Sequence, residues 1–282
     1  MLVNLDISKS SGTDGISARM LKSSALSIAP SLTKLFNLSL TTGVFPSEWK
    51  LARVVLIPKS DSPSTSASGY RPISILPIVS MVLERHVKEI IDNHLAESSP
   101  ISNNQWGFMH HRSSTSALIS VIHDWLSALD SGHEVCVVFF DVRKAFDSVP
   151  HVPLLQKLID IGLNPYLLRW IESYLTYREQ FVVVDGSSST RLQVLSVVPQ
   201  GSVLGPLLND VVNLISEGSK INLFADGIAL YRIINSPEDY ARLQSDIHAV
   251  NSCLMSKYLN LNSGKCCYIL PEKEHILSLH PL

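Results

Sequence analysis

Val135-Cys136-Val137-Val138-Phe139-Phe140 is an unbroken β-rich apolar run that stops at Asp141. A run without polar alternation reads as a strand covered on both faces. Downstream, residues 221–225 and 228–234 flank Asp226-Gly227, the strongest two-residue hairpin signal in the chain. Residues 181–184 and 192–198 flank Asp185-Gly186 and three serines, a second hairpin with a longer loop. A helix opens at Ser236-Pro237-Glu238-Asp239, where a serine N-cap, a proline at the first helical position and an acid three residues on approach a capping box.

Upstream of the apolar run the pattern is helical. Residues 30–40, 77–96 and 114–129 read as helices. The second carries Val79, Val82, Leu83, Val87, Ile90, Ile91 and Leu95 on one face. The third carries an apolar stripe of Leu118, Val121, Ile122, Trp125, Leu126 and Leu129. Arg53-Val54-Val55-Leu56-Ile57-Pro58 is a short strand, and the Ser-rich residues 60–69 after it read as an exposed, mobile loop. Two further helices are expected over 154–161 and 166–177. Antiparallel hairpins beside long helices make the fold class α+β.

The 282 residues are 45% hydrophobic and 17% charged, which excludes a disordered chain and provides for a large core. Net charge is −2 and neither half, divided at Pro150, is basic. That argues against a tail-type nucleic-acid binder, although a small cationic groove can hide in a neutral total. No apolar run approaches the roughly 20 residues a membrane span demands, and no secretory signal opens the chain, so an intracellular protein is expected. Cys136, Cys253, Cys266 and Cys267 form no CxxC pair and read as reduced thiols.

Asp141 and Asp226 share one setting, the exit of an apolar strand. Two carboxylates converging there would repel unless divalent cations neutralised them, and magnesium suits hard oxygen ligands with waters and phosphates in its shell. From spacing alone the same residues also read as a strand-capping and a turn aspartate with no shared role.

Six segments occur in order: Ser11-Gly12-Thr13-Asp14-Gly15-Ile16; Leu56-Ile57-Pro58-Lys59 with Tyr70-Arg71-Pro72-Ile73-Ser74; Gln105-Trp106-Gly107-Phe108; Phe140-Asp141-Val142-Arg143-Lys144-Ala145-Phe146-Asp147; Pro199-Gln200-Gly201-Ser202-Val203-Leu204-Gly205-Pro206; and Phe224-Ala225-Asp226. Together they resemble the reverse transcriptase domain of non-LTR (LINE-type) retrotransposons, over residues 10–267. The resemblance implies a right-hand polymerase with a fingers-like part over 1–133 and an antiparallel palm over 134–282, the thumb being absent or vestigial. It implies RNA-directed DNA synthesis by two-metal nucleotidyl transfer, with two Mg²⁺ ions, an RNA template, a DNA primer and deoxynucleoside triphosphates as partners. No oligomer and no membrane are implied.

By the same resemblance, Asp141 and Asp226 are the catalytic carboxylates and, with the Val142 carbonyl, the metal ligands. Phe146 resembles the aromatic gate against a ribose 2′-hydroxyl; it also reads as an ordinary core residue. Lys59 and Arg71 resemble the cations that grip the triphosphate, and alone would be surface charges. Gln200 and Gly201 resemble the nucleotide and template contact, or a simple turn. Lys265 resembles the lysine that protonates the pyrophosphate leaving group, or a surface charge.

The sequence also departs from the family pattern. The second of two adjacent aspartates is Gly227, about five residues are missing where Leu208 meets Asn209-Asp210, Met109 stands for an arginine, and Val197 for a glycine. Loss of a metal-binding carboxylate implies a rate loss on the order of 10³-fold. A non-catalytic retroelement remnant and a module binding RNA or an RNA–DNA hybrid are the competing readings.

Overall fold

The computed structural model describes residues 1–59, 66, 69–98, 102–107, 112–142, 150–194, 214–224 and 227–269. The chain divides into two units, Met1–Ser99 with Pro150–Val203, and Pro100–Val149 with Leu204–Leu282. Each unit is discontinuous in sequence. The cause is a long-range strand pairing in the first unit.

That pairing joins β1 (Leu51–Pro58) to β4 (Arg178–Val184) in parallel, while β2 (Tyr70–Ile75) pairs antiparallel on the other side of β1. β5 (Ser187–Ser188) and β6 (Leu192–Val194) complete a five-stranded sheet. The chain turns at Asp185-Gly186, with φ of 48° and 79°, the positive pair that matches strand twist, but in a two-residue turn rather than the longer loop expected, because Ser187 and Ser188 pair with β4. Of the return strand expected over 192–198, residues 195–198 lie outside the described residues, as does most of the Ser-rich loop 60–69.

Five helices accompany this sheet among the described residues: α1 (Ala18–Ser23), α2 (Ala25–Thr42), α3 (Ile78–Ser98), α5 (His151–Asp160) and α6 (Pro165–Leu175). α2 starts five residues before the expected Pro30, which therefore lies inside the helix, beyond its first turn, and forgoes one intrahelical hydrogen bond. The buried face of α3 holds Val79, Val82, Leu83, Val87 and Ile91 of the expected stripe, while Ile90 is exposed and Leu95 half-buried. Phe45 packs edge-on against Trp49, Trp170 and Tyr174, with ring centroids 5.0–5.8 Å apart. Beneath this cluster the guanidinium of buried Arg178 lies 4.7 Å from the Tyr174 ring centre and donates to the Tyr174 carbonyl. Glu84 accepts from Ser80 and Tyr174.

The second unit is a four-stranded antiparallel sheet, ordered β7 (Ser219–Phe224), β8 (Gly227–Ile234), β3 (Glu134–Asp141), β9 (Cys267–Ile269). Strand alternation sends Cys136, Val138 and Phe140 to one face, where Leu243, Ile247, Val250 and Leu254 of α7 (Pro237–Ser256) cover them. The expected capping box is present: Ser236 and Asp239 satisfy each other's backbone donors. Val137 and Tyr231 face the other way, onto Val121 and Trp125 of α4 (Ser114–Asp130). α4 thus corrects the sequence reading. Val121, Trp125 and Ala128 turn inward, while Leu118, Ile122, Leu126 and Leu129 of the expected stripe are exposed.

Among the described residues no helix is long and apolar enough to cross a membrane.

Candidate active site

β3 carries its apolar run into Asp141, and the register sets Asp141 directly opposite Gly227, the first residue of β8. The hairpin read from the sequence is present, but Gly227 pairs with Phe224 and belongs to β8 rather than to the turn. Asp226, its neighbour Ala225, Phe146, Gln200, Gly201, Val197, Met109 and the Leu208–Asn209 junction all lie outside the described residues. The expected approach of Asp226 to Asp141 therefore falls outside the described residues as well.

Beyond Asp141 the chain is clasped by the segment that follows α7. Val142 is buried and bridges antiparallel to Leu261. The Asn262 backbone N–H donates to the Asp141 carbonyl at 2.8 Å, and its side-chain Nδ2 donates to Asp141 Oδ2 at 3.0 Å. Asn262 O then accepts from the backbone N–H of Lys265 and of Cys266, closing a tight turn. That turn sets Lys265 Nζ 3.4 Å from Asp141 Oδ2. The sequence reading thus named Lys265 but not its partner. The pair is solvent-exposed on the lysine side and contributes little to stability. Burial pushes the Cys266 thiol above its ordinary value, consistent with an unreactive, reduced cysteine beside the site.

The hairpin edge is held by a segment that was read only as a motif. Residues 104–106 run alongside β7: Leu223 N–H donates to Asn104 O and Trp106 N–H to Leu223 O, each at 2.8 Å. The Trp106 indole donates to Asn222 Oδ1 at 2.8 Å. Arg112 lies over the Trp106 ring, 5.3 Å from its centre, and its Nη1 reaches the carbonyls of Asn103 and Gln105. Asn262, Asn222 and Arg112 escaped the sequence reading, since asparagine and arginine near turns signal only local structure.

Within this unit Trp106, Phe139, Asp141, Asn222, Gly227 and Lys265 line a pocket of about 420 Å³. Deeper on the same sheet face, Tyr231 donates to Asp124 at 2.6 Å, and burial together with that carboxylate pushes the phenol above its ordinary value. In the first unit, Lys59 follows the last residue of β1 and Arg71 lies on the paired β2 opposite Ile57. Both cations are exposed at the same end of the β1–β2 pair.

A carboxylate at the exit of a central strand is a hard oxygen donor of the kind divalent cations take. Residues 57–279 match the family of reverse transcriptases, RNA-dependent DNA polymerases. The chain belongs to the reverse transcriptase family. Its relatives are of the non-LTR retrotransposon type. The probable RNA-directed DNA polymerase from transposon BS of Drosophila melanogaster is 33% identical over 208 residues, 74% of this chain and 23% of that protein. The corresponding protein of transposon X-element from the same organism is 34% identical over 74% of this chain and 23% of its own length. The RNA-directed DNA polymerase from mobile element jockey of Drosophila melanogaster is 31% identical over 75% of this chain and 23% of its own length. This reverse transcriptase chain therefore spans about a quarter of those relatives.

The fold is shared with apo telomerase from Candida tropicalis truncated from its C-terminal domain, at a TM-score of 0.57 and 13% identity. That similarity covers 88% of this chain and 56% of the telomerase chain. It supports a mixed α+β polymerase fold. Reverse transcriptases generally use divalent metal ions, template and primer nucleic acid, and nucleotides. Among the described residues no group of three or more His, Cys, Asp or Glu converges as a metal cluster.

Proposed function

We propose that this chain is the RNA-directed DNA polymerase portion of a non-LTR retroelement protein, extending a DNA primer on an RNA template with deoxynucleoside triphosphates. The observation that carries the reading is the register of Asp141 against Gly227, which brings the first carboxylate beside the hairpin bearing Asp226. Residues 1–133 are then the fingers-like part and residues 134–282 the palm.

The donor set fits Mg²⁺ in part. Asp141 supplies a carboxylate whose Oδ2 is taken by Asn262 and Lys265, while among the described residues Oδ1 has no partner. With Asp226 and the Val142 carbonyl this is a hard-oxygen set for two ions, short of one anionic ligand at Gly227. When bound, the ions would make the attacking 3′-hydroxyl more acidic and stabilise the negative charge on the leaving pyrophosphate.

The remaining roles belong to this chain's own side chains. Lys59 and Arg71 hold the triphosphate, Arg as a planar fork and Lys as a point charge. Phe146 leaves no room for a ribose 2′-hydroxyl, and Gln200-Gly201 lets backbone approach the nascent base pair. Lys265 hands a proton to the pyrophosphate, which requires that it first leave Asp141. With Gly227 in place of a carboxylate, turnover is on the order of 10³-fold below that of an intact site.

Primer extension on an RNA template with Mg²⁺ tests the reading. The expected result is weak synthesis that Asp141→Asn abolishes. Synthesis unaffected by Asp141→Asn would overturn the site assignment.

A further inference from the structure

Asp141 is gripped at two points by one residue. Asn262 donates its backbone N–H to the Asp141 carbonyl at 2.8 Å and its Nδ2 to Oδ2 at 3.0 Å. The first bond ties the post-helix turn to the end of β3, so the two move together. The second fixes the plane of the carboxylate. A carboxylate accepts only, so the Asn262 amide must present its NH₂ to Asp141.

We propose that Asn262 is a positioning residue for Asp141, holding Oδ2 so that Oδ1 stays available in one orientation to a divalent cation. The inference rests on the reading of Asp141 as a metal ligand. A strand-end aspartate without such a clasp rotates about χ1 and χ2, and that freedom must be lost whenever a cation binds. Asn262 removes it beforehand. A neutral donor does this without cancelling the negative charge the cation needs, which a lysine in the same place would do. Lys265 occupies the second position on Oδ2, but at 3.4 Å and with an exposed ammonium it is a loose counter-ion, displaced more easily than a hydrogen-bonded amide. Outer partners of metal-binding carboxylates typically set affinity by 10- to 100-fold.

The test uses the full chain, Mn²⁺ as probe and water-proton relaxation as readout, with Asn262→Leu, Asn262→Gln, Lys265→Ala and Asp141→Asn. Asn262→Leu keeps the side-chain volume and the backbone bond but removes the donor. It is expected to weaken Mn²⁺ binding by about 10-fold, with Asn262→Gln recovering part of the loss and Lys265→Ala weakening nothing. Hydrogen exchange over β3 reports that each variant keeps its fold. Equal affinities in the parent and Asn262→Leu, or equal weakening by Leu and Gln, would overturn the positioning role. If no Mn²⁺ binding depends on Asp141, it is the metal-ligand reading that fails. The clasp is then decided without metal: the Asn262 side-chain amide resonances shift in Asp141→Ala if the hydrogen bond exists, and unshifted resonances overturn it.

Discussion

Asp141 on β3 and Gly227 on β8 are direct cross-strand partners, so any side chain at residue 227 emerges beside the Asp141 carboxylate on the same face of the sheet. Among the described residues a Cβ built on Gly227 would meet the Phe224 carbonyl, at 3.3 Å, and the backbone there does not need glycine's left-handed conformations. The position accepts a side chain after a shift of a few tenths of an ångström.

Gly227→Asp should therefore fold. Without metal it is expected to lose roughly 0.5–1 kcal/mol, because like charges face each other across the strands. Millimolar Mg²⁺ should raise the melting temperature of the variant more than that of the parent, since only the variant adds a carboxylate for the cation to bridge. An equal Mg²⁺ response in both proteins would show that residue 227 does not face the metal.

The same substitution alone should give little primer extension if, as the family resemblance implies, the chain also lacks about five residues after Leu208. If the lost segment is helical, its deletion rotates the downstream chain by about 140°. Re-insertion of five residues should also give little, and both repairs together should recover synthesis. Extension on an RNA template by all four proteins decides it, and full rescue by Gly227→Asp alone would remove the architectural half of the argument.

Glu84 offers a pH-dependent stability. Its burial, opposed by hydrogen bonds from Ser80 and Tyr174 and by the charge of Arg178, raises its carboxyl above the ordinary glutamate value of 4.5. The folded state then holds this proton more tightly than the unfolded state. From this group, stability is full below the ordinary value and falls as pH rises through the raised one. Urea unfolding followed by tryptophan fluorescence should show this decline, and Glu84→Gln should flatten it. A Glu84→Gln profile parallel to the parent's would contradict the assignment.

Arg112 is expected to hold the segment beside β7 through the Asn103 and Gln105 carbonyls and the face of Trp106. Arg112→Ala should cost about 1 kcal/mol and speed exchange of the Leu223 amide, which donates to Asn104 O, while the β3 amides keep their protection. Unchanged exchange at Leu223 would mean that the β7 edge holds the segment unaided.

Local signals in the sequence were sufficient for the elements themselves. The buried run ending at Asp141, the Asp185-Gly186 turn, the capping box at Ser236 and the face of α3 each depend on residues a few positions apart, and each is present. The ordered motifs were likewise enough for the family, because they require only identity and spacing.

What the tertiary structure decided lies in pairings between distant residues. α4 is apolar around much of its circumference, so periodicity could not choose between the Leu118–Ile122–Leu126 side and the Val121–Trp125–Ala128 side; only the presence of Val137 and Tyr231 made the choice. The parallel pairing of β1 with β4 gathers segments more than a hundred residues apart into one unit. Strand register placed Gly227 opposite Asp141, and an asparagine in a turn became the clasp on its carboxylate. Backbone propensity acts over a few residues and leaves its mark in local sequence, whereas register and partner choice are settled by which distant surfaces bury each other best.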